Sequence, residues 1–273
     1  MRINYILIDM KRTIPAIMAI CILTLSGCSK EEKEQVPTQI KSYTKELVQR
    51  DVVSVRNQIV PTFDSNGRLS SISIDSYLLS DEGTVKSSSK STTTYVYDES
   101  AHTAVETDIL EGELASIVDE PMVTELTFDN SWKLTSTYFS MLESAYTFGY
   151  EGDRMTQYTS RGLSHEVPYD ITWKNGDIVS IADESETITI TYLPDGNPFK
   201  KGIDPTLENL LPNYYTYRMT GINCTHLPHT YTVTSGNVKT YKYEYKKDAD
   251  GRITEIIKTA EGDTSYHVIK ISY

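Results

Sequence analysis

The chain has 273 residues, 38% of them hydrophobic, with 38 acidic against 26 basic side chains and a net charge of −12. A surplus of that sign repels phosphate backbones and argues against nucleic acid as a partner. The length suffices for a substantial hydrophobic core, and three cysteines cannot build a disulfide framework.

The opening MRINYILIDMKRTIPAIMAICILTLSGC carries Lys11 and Arg12, then a mostly apolar run from Ile14 to Leu25. That run is too short to span a bilayer, and its flanks are those of a cleaved leader, so residues 1–27 are predicted to be a signal peptide. The ending Leu25-Ser26-Gly27-Cys28 resembles the lipobox of bacterial lipoproteins, which makes Cys28 the expected lipid attachment site and a membrane the expected partner. Residues 28–48 open with the charged, aromatic-free SKEEKEQVPTQ and are predicted to be a flexible tether. Ser29 to Glu32 also resemble the export signal of surface lipoproteins in Bacteroides-type bacteria, so the expected location is the outer membrane, on the cell surface rather than the periplasmic face.

From residue 49 to 273 a single domain is predicted, built on one recurring unit. Its copies are TFDSNGRLSSI at Phe63, TFDNSWKLTST at Phe128, GYEGDRMTQY at Tyr150, TWKNGDIVSI at Trp173 and YKKDADGRITEI at Tyr245, with a weaker VYDESAHTAVE at Tyr97. Each is an aromatic strand end, a turn rich in Asp, Asn and Gly, then an aliphatic residue. Gly and Asn tolerate the left-handed backbone of hairpin turns, and aromatic and β-branched residues favour the flanks. The anchors lie 22 to 72 residues apart, too uneven for a solenoid or propeller. Ile188, Ile190 and Tyr192 alternate with threonines, and Tyr241, Tyr243 and Tyr245 with Lys242, Glu244 and Lys246. One face is therefore apolar and the other wet, the opposite of what a lipid-facing barrel requires on its outside. The expected fold is all-β: an antiparallel meander of about fourteen strands, forming a strongly curved or closed sheet.

One segment breaks the pattern. In GIDPTLENLLPNYYTYRM, Asp204 is placed to cap a short helix over 204–211 with Pro205 in its first turn, and Leu207, Leu210 and Leu211 form its apolar stripe. With no other apolar surface to cover that stripe, Leu207, Leu210 and Leu211 are expected to pack against the sheet's apolar face, and a lumen of fourteen strands is expected to be closed by flattening, by the sheet staying open and curling, or by the insertion from Gly202 to Met219 entering as a plug.

The stretch DGNPFKKGIDPTLENLL, followed by TGINCTHLPHTYTV, YKYEYKKDADGRITEI and the closing YHVIKISY, resembles a Bacteroides-type lipoprotein family of unknown function with a porin-like fold. The resemblance is good over about Asp195 to Tyr273 and pattern-level from Val52 to Leu193, and it implies a barrel-like antiparallel sheet, a lipid anchor and no assigned catalytic residues. The turn unit is also loosely similar to the tyrosine-aspartate repeats of bacterial toxin shells.

No nucleophile elbow, Walker loop or dinucleotide fingerprint occurs, and no cofactor is implied. HEVPY at His165 has Tyr169 where a zinc helix needs its second histidine. Cys224, His226 and His229 lie close together without an evident fourth ligand, and Cys224 is expected to be a buried, reduced thiol. Tyr214, Tyr215, Tyr217, Trp132 and Trp173 are the candidate ligand-stacking residues, for a glycan or an apolar ligand; the bland alternative is that such aromatics form cross-strand pairs. The expected role is a non-catalytic binding or assembly module of the envelope, with a glycan, lipid or envelope protein as partner. A surface glycoside hydrolase or esterase, and a lipid carrier or outer-membrane chaperone using the barrel interior, are the alternatives.

Overall fold

In the computed structural model, which describes residues 40–112, 120–163, 165–199, 203–207 and 219–273, the chain forms a closed antiparallel barrel of sixteen strands. They are β1 (Ser42–Gln49), β2 (Val52–Phe63), β3 (Leu69–Leu79), β4 (Val85–Asp98), β5 (Thr103–Gly112), β6 (Met122–Phe128), β7 (Leu134–Phe139), β8 (Ser144–Glu151), β9 (Arg154–Arg161), β10 (Glu166–Lys174), β11 (Asp177–Ala182), β12 (Thr187–Gly196), β13 (His226–Ser235), β14 (Asn237–Lys247), β15 (Ile253–Ala260) and β16 (Ser265–Ser272). Each strand pairs with the next, and β1 pairs with β16 from Ser42↔Ser272 to Gln49↔Ser265, which leaves no free edge. The count is sixteen, not about fourteen. Strand β1 also lies inside the segment read as tether, and the compact unit runs from Thr38 to Tyr273.

The alternation of the sequence becomes the two faces of the wall. Along β6, Thr124, Leu126 and Phe128 are buried, while Thr127 and Glu125 are exposed outward. Outward positions on β12 to β14 are Thr187, Thr189, Thr191, Thr230, Thr232, Lys242 and Glu244, several of them joined by hydroxyl or ion-pair contacts. At the closure, the Glu46 carboxylate bridges Arg56 on β2 and Lys270 on β16, each at 2.8 Å. Exposed Val96, Val105, Ile109, Val123 and Tyr138 interrupt this polar surface on β4 to β7, beside Lys90, Thr107 and Glu125.

Hairpins alternate between the two ends of a barrel, so every second turn lies at the same end. All six recurring units are of this kind; they join β2 to β3, β4 to β5, β6 to β7, β8 to β9, β10 to β11 and β14 to β15, and define what we term the base. Their uneven spacing records the varying lengths of the strands and opposite-end loops between them. In three turns the same carboxylate geometry recurs: Asp64, Asp129 and Asp248 each accept from the backbone N–H groups two and four residues on, at 2.7 to 3.0 Å. The fourth turn residue is left-handed: Gly67 and Gly251 in two of them, and Trp132, with φ of 60°, in the third. Tryptophan is costly there. Its ring stacks on His102 and packs on Phe128, Tyr97 and the Arg68 guanidinium, contacts that a glycine cannot make.

An aromatic residue closes every even strand at the base: Phe63, Tyr97, Phe128, Tyr150, Trp173, Tyr192, Tyr245 and Tyr273, the last just beyond β16, all in or against the core. Six donate to a backbone carbonyl at the start of the preceding odd strand. Tyr97 bonds Leu69, Tyr150 Leu134, Trp173 Met155, Tyr192 Ile178, Tyr245 Pro228 and Tyr273 Ile253, at 2.6 to 2.8 Å. Arg68, Lys133, Arg154 and Arg252, each at or just before the start of an odd strand, lie over the next aromatic ring at 4.2 to 5.8 Å. The repeated unit is thus a belt that seals one end.

The connection from β12 to β13 enters the core from that end. Phe199, Ile203, Leu207, Ile222 and Cys224 belong to the buried cluster, and the Tyr243 hydroxyl donates to the Thr206 carbonyl at 3.1 Å. Buried Asp204 accepts from the Thr206 N–H and from Asn197, as the cap of a turn. Among the described residues of the expected helix over 204–211, Pro205–Leu207 form that turn, and no α-helix occurs among the described residues of the chain. Leu207 packs inward as expected; Leu210 and Leu211 lie outside the described residues.

Candidate functional site

The end opposite the base, here called the mouth, holds a cavity of about 310 Å³ on the inner wall of β5 to β8. Alternation places Glu106 and Asp108, two apart on β5, on the same inward face, about 7 Å apart along the strand. Thr124 faces Glu106 from β6, and Thr137 and Tyr146 follow on β7 and β8. Met122 and Phe139 complete an apolar side. Glu106, Thr124 and Thr137 are buried. Asp108 accepts a hydrogen bond from the Thr93 hydroxyl; burial pushes its carboxyl above the ordinary carboxylate range, and that bond opposes the shift. Tyr95, the cross-strand partner of Glu106, is 5% exposed, and its hydroxyl lies against the Glu106 carboxylate. Burial, followed by the charge of Glu106, raises its phenol far above the usual value.

The other inner wall is basic. Lys258 is buried with its ammonium 4.6 to 5.8 Å from the rings of Tyr241, Tyr231 and Tyr243. Its cross-strand partner His267 has a buried Nδ1 with no hydrogen bond, and burial, then Lys45 and Lys258, lower its pKa to about 4. The imidazole is neutral at neutral pH.

A second opening of about 430 Å³ lies in the wall between β11 and β12, which pair only over Ser180–Ala182 and Thr187–Thr189. Below that, Thr225 fills the seam by bonding Gly176 and Asn197 through the backbone. At the two positions where the belt elsewhere carries a cation, this stretch has Asp177 and His226, paired with each other. Asp177 accepts from His226 Nδ1 at 2.8 Å and from its backbone N–H at 2.9 Å. That geometry anchors the incoming chain across the split. Cys224, two residues earlier, is a free thiol, 1% exposed, which burial pushes up to about 11, too high for a nucleophile. Among the described residues no group of three His, Cys, Asp or Glu side chains is arranged to hold a metal, so Cys224, His226 and His229 form no such site.

The structure takes Trp132 and Trp173 away from the cavity and into the base belt, where Trp173 Nε1 donates to Met155 at 2.7 Å. Tyrosines also form cross-strand stacks, Tyr158 on Tyr169 and Tyr231 on Tyr241, with centroids 4.5 and 4.6 Å apart. Tyr214, Tyr215, Tyr217 and Cys28 lie outside the described residues. The mouth residues escaped sequence reasoning because Glu106 and Asp108 resemble any other carboxylates of an acidic chain. Their only signal is that they stand where an alternating strand faces inward.

No protein-family model matches the chain, and no curated protein matches it. Among solved structures, a porin-like protein from Bacteroides uniformis superposes with a TM-score of 0.64 at 16% identity, over 85% of this chain and 96% of that one. The fold is porin-like. A second porin-like protein, from Bacteroides vulgatus, aligns over 86% of this chain and 98% of its own at 10% identity, with a TM-score of 0.32. The barrel described here buries its apolar face inward.

Proposed function

We propose that this chain is a water-immersed barrel of the bacterial envelope, tethered to the outer membrane by a lipid on Cys28, that binds a small ligand at its mouth without catalysis. The observation that carries this reading is the polarity of the wall. A barrel that crosses a bilayer needs a continuous apolar band outside and a polar lumen. Here Thr, Lys and Glu face outward around β12 to β16, and Ile, Leu and aromatic side chains fill the inside. The mouth cavity is of the size of a small-molecule site and combines polar groups with an apolar side.

The same features favour binding over the alternatives. A glycoside hydrolase needs carboxyls on opposite sides of the scissile bond, whereas Glu106 and Asp108 leave one strand on one face. A lipid carrier needs an open apolar lumen, and here Leu126, Leu134, Ile72 and Ile256 are packed to zero exposure. The test is to purify the Thr38–Tyr273 unit without detergent and add it to planar bilayers. It should remain monodisperse in buffer and add no conductance; a detergent requirement or defined channel openings would overturn the reading.

A further inference from the structure

The opening between β11 and β12 lies toward the base, away from the mouth cavity, where one copy of the recurring unit departs from the others. In two copies the acid of the turn and its closing cation neutralise each other, Arg68 with Asp64 at 2.9 Å and Arg252 with Asp248 at 2.8 Å. In the β10–β11 turn the signs are exchanged. Lys174 directly follows Trp173 as Asp64 follows Phe63, and Asp177 directly precedes Ile178 as Arg68 precedes Leu69. Asp177 is buried and gives both of its oxygens to His226, which leaves Lys174 without the acid of its own turn. With no belt cation to fill it, the seam beside Tyr192 is an opening of about 430 Å³.

We infer that this opening is a second binding site, which takes a small organic carboxylate on a short aliphatic body. Three observations converge on that chemistry. The first is charge: Lys174 lines the opening, and among the lysines and arginines of the six recurring units it alone has neither a carboxylate nor a ring as partner. Arg68, Lys133, Lys246, Lys247 and Arg252 pair with carboxylates, and Arg154 covers Trp173. The second is the neighbouring Asn175, whose side-chain amide adds a neutral donor at the same rim. The third is the rest of the lining, where Val179, Leu193 and Pro194 offer apolar surface to an aliphatic body. The floor is fixed before a ligand arrives, since Thr225 packs so closely on Gly176 that a Cβ there would lie 2.4 Å from its Oγ1. An organic cation fits less well, because it would meet Lys174 and find Asp177 already engaged by His226.

The experiment uses the full-length chain and two probes of one shape: 4-methylpentanoate, and 4-methylpentanamide, in which an amide replaces the carboxylate. Titration calorimetry at low salt gives the affinities, and backbone amide shifts locate the binding. The acid should bind about fivefold or more tightly than the amide, the upper range for a partly exposed ion pair, and the difference should shrink as salt is raised. Shifts should centre on Lys174 to Val179 and Ile190 to Pro194. Lys174→Met changes an exposed side chain and should abolish most of the preference, whereas Lys242→Met, at a lysine paired with Glu244 on the outer wall, should leave it intact. Equal affinity for the two probes, or a preference that survives Lys174→Met, overturns the carboxylate assignment. Shifts centred elsewhere, or no binding of either probe at millimolar concentration, overturn the site itself; the mouth cavity stands or falls separately.

Discussion

Replacing the belt tyrosines with phenylalanine removes only the hydroxyl and leaves each ring's packing in place. In Tyr150→Phe the lost contact is a 2.6 Å hydrogen bond to the Leu134 carbonyl, at the start of a strand whose Leu134 side chain has no exposure. If water reaches that carbonyl, the net loss is about 1 kcal/mol; if it stays dry, the unsatisfied acceptor raises the cost to as much as about 3 kcal/mol. For a domain of this size each kcal/mol lowers the melting temperature by about 2–4 °C. Tyr97, Tyr192, Tyr245 and Tyr273 make the same bond on separate hairpins, two strands and therefore about 10 Å apart or more. At that separation losses add, so the fivefold variant should lose about 5 kcal/mol or more. Urea denaturation of each variant, with an unchanged m-value, gives the loss directly. Tyr138→Phe is the control, since that ring is 40% exposed on the outer face and the change should stay within about 0.5 kcal/mol. Belt variants no less stable than Tyr138→Phe would refute the view that these hydroxyls hold the base together.

His267, with its pKa lowered to about 4, binds its proton less readily folded than unfolded; its contribution to stability is intact above about pH 6.5 and is lost as pH falls toward 4. His267→Asn should flatten that part of the stability profile, and an unchanged profile would show that the imidazole is not buried as described. Cys224 should resist thiol reagents in native buffer and react fully in denaturant, because burial both hides it and raises its pKa to about 11. Leu207→Ala should cost about 2–5 kcal/mol, measured by denaturant midpoint, if the β12–β13 connection is packed into the core; a loss below 0.5 kcal/mol would mean that it is only laid against the surface. Glu46→Gln, which breaks the bridge across the closing strands to Arg56 and Lys270, should lower stability by about 1–2 kcal/mol at neutral pH.

By itself the sequence determined what depends on a few neighbouring residues. The all-β class follows from alternation such as Ile188, Ile190 and Tyr192 against threonines, and the turns from units such as Asp64 to Arg68, whose carboxylate bonds reach only four residues. The wet outer face was equally legible, because adjacent residues on a strand must point to opposite sides. Strand number was not. Much of β4, from Ser87 to Thr94, is Ser, Thr and Lys on both faces and has no apolar period to count. The place of Tyr192 in the belt is not legible in the sequence, because it precedes a long connection in place of the recurring turn. Only tertiary structure gathered the repeated units at one end, joined β1 to β16 and brought Asp177 to His226, 49 residues away. It alone made Glu106 and Asp108 neighbours of Thr124, Thr137 and Tyr146. Barrel closure and strand register decide which inward carboxylates share a cavity, and both are set by hydrogen bonds between strands that no local pattern encodes.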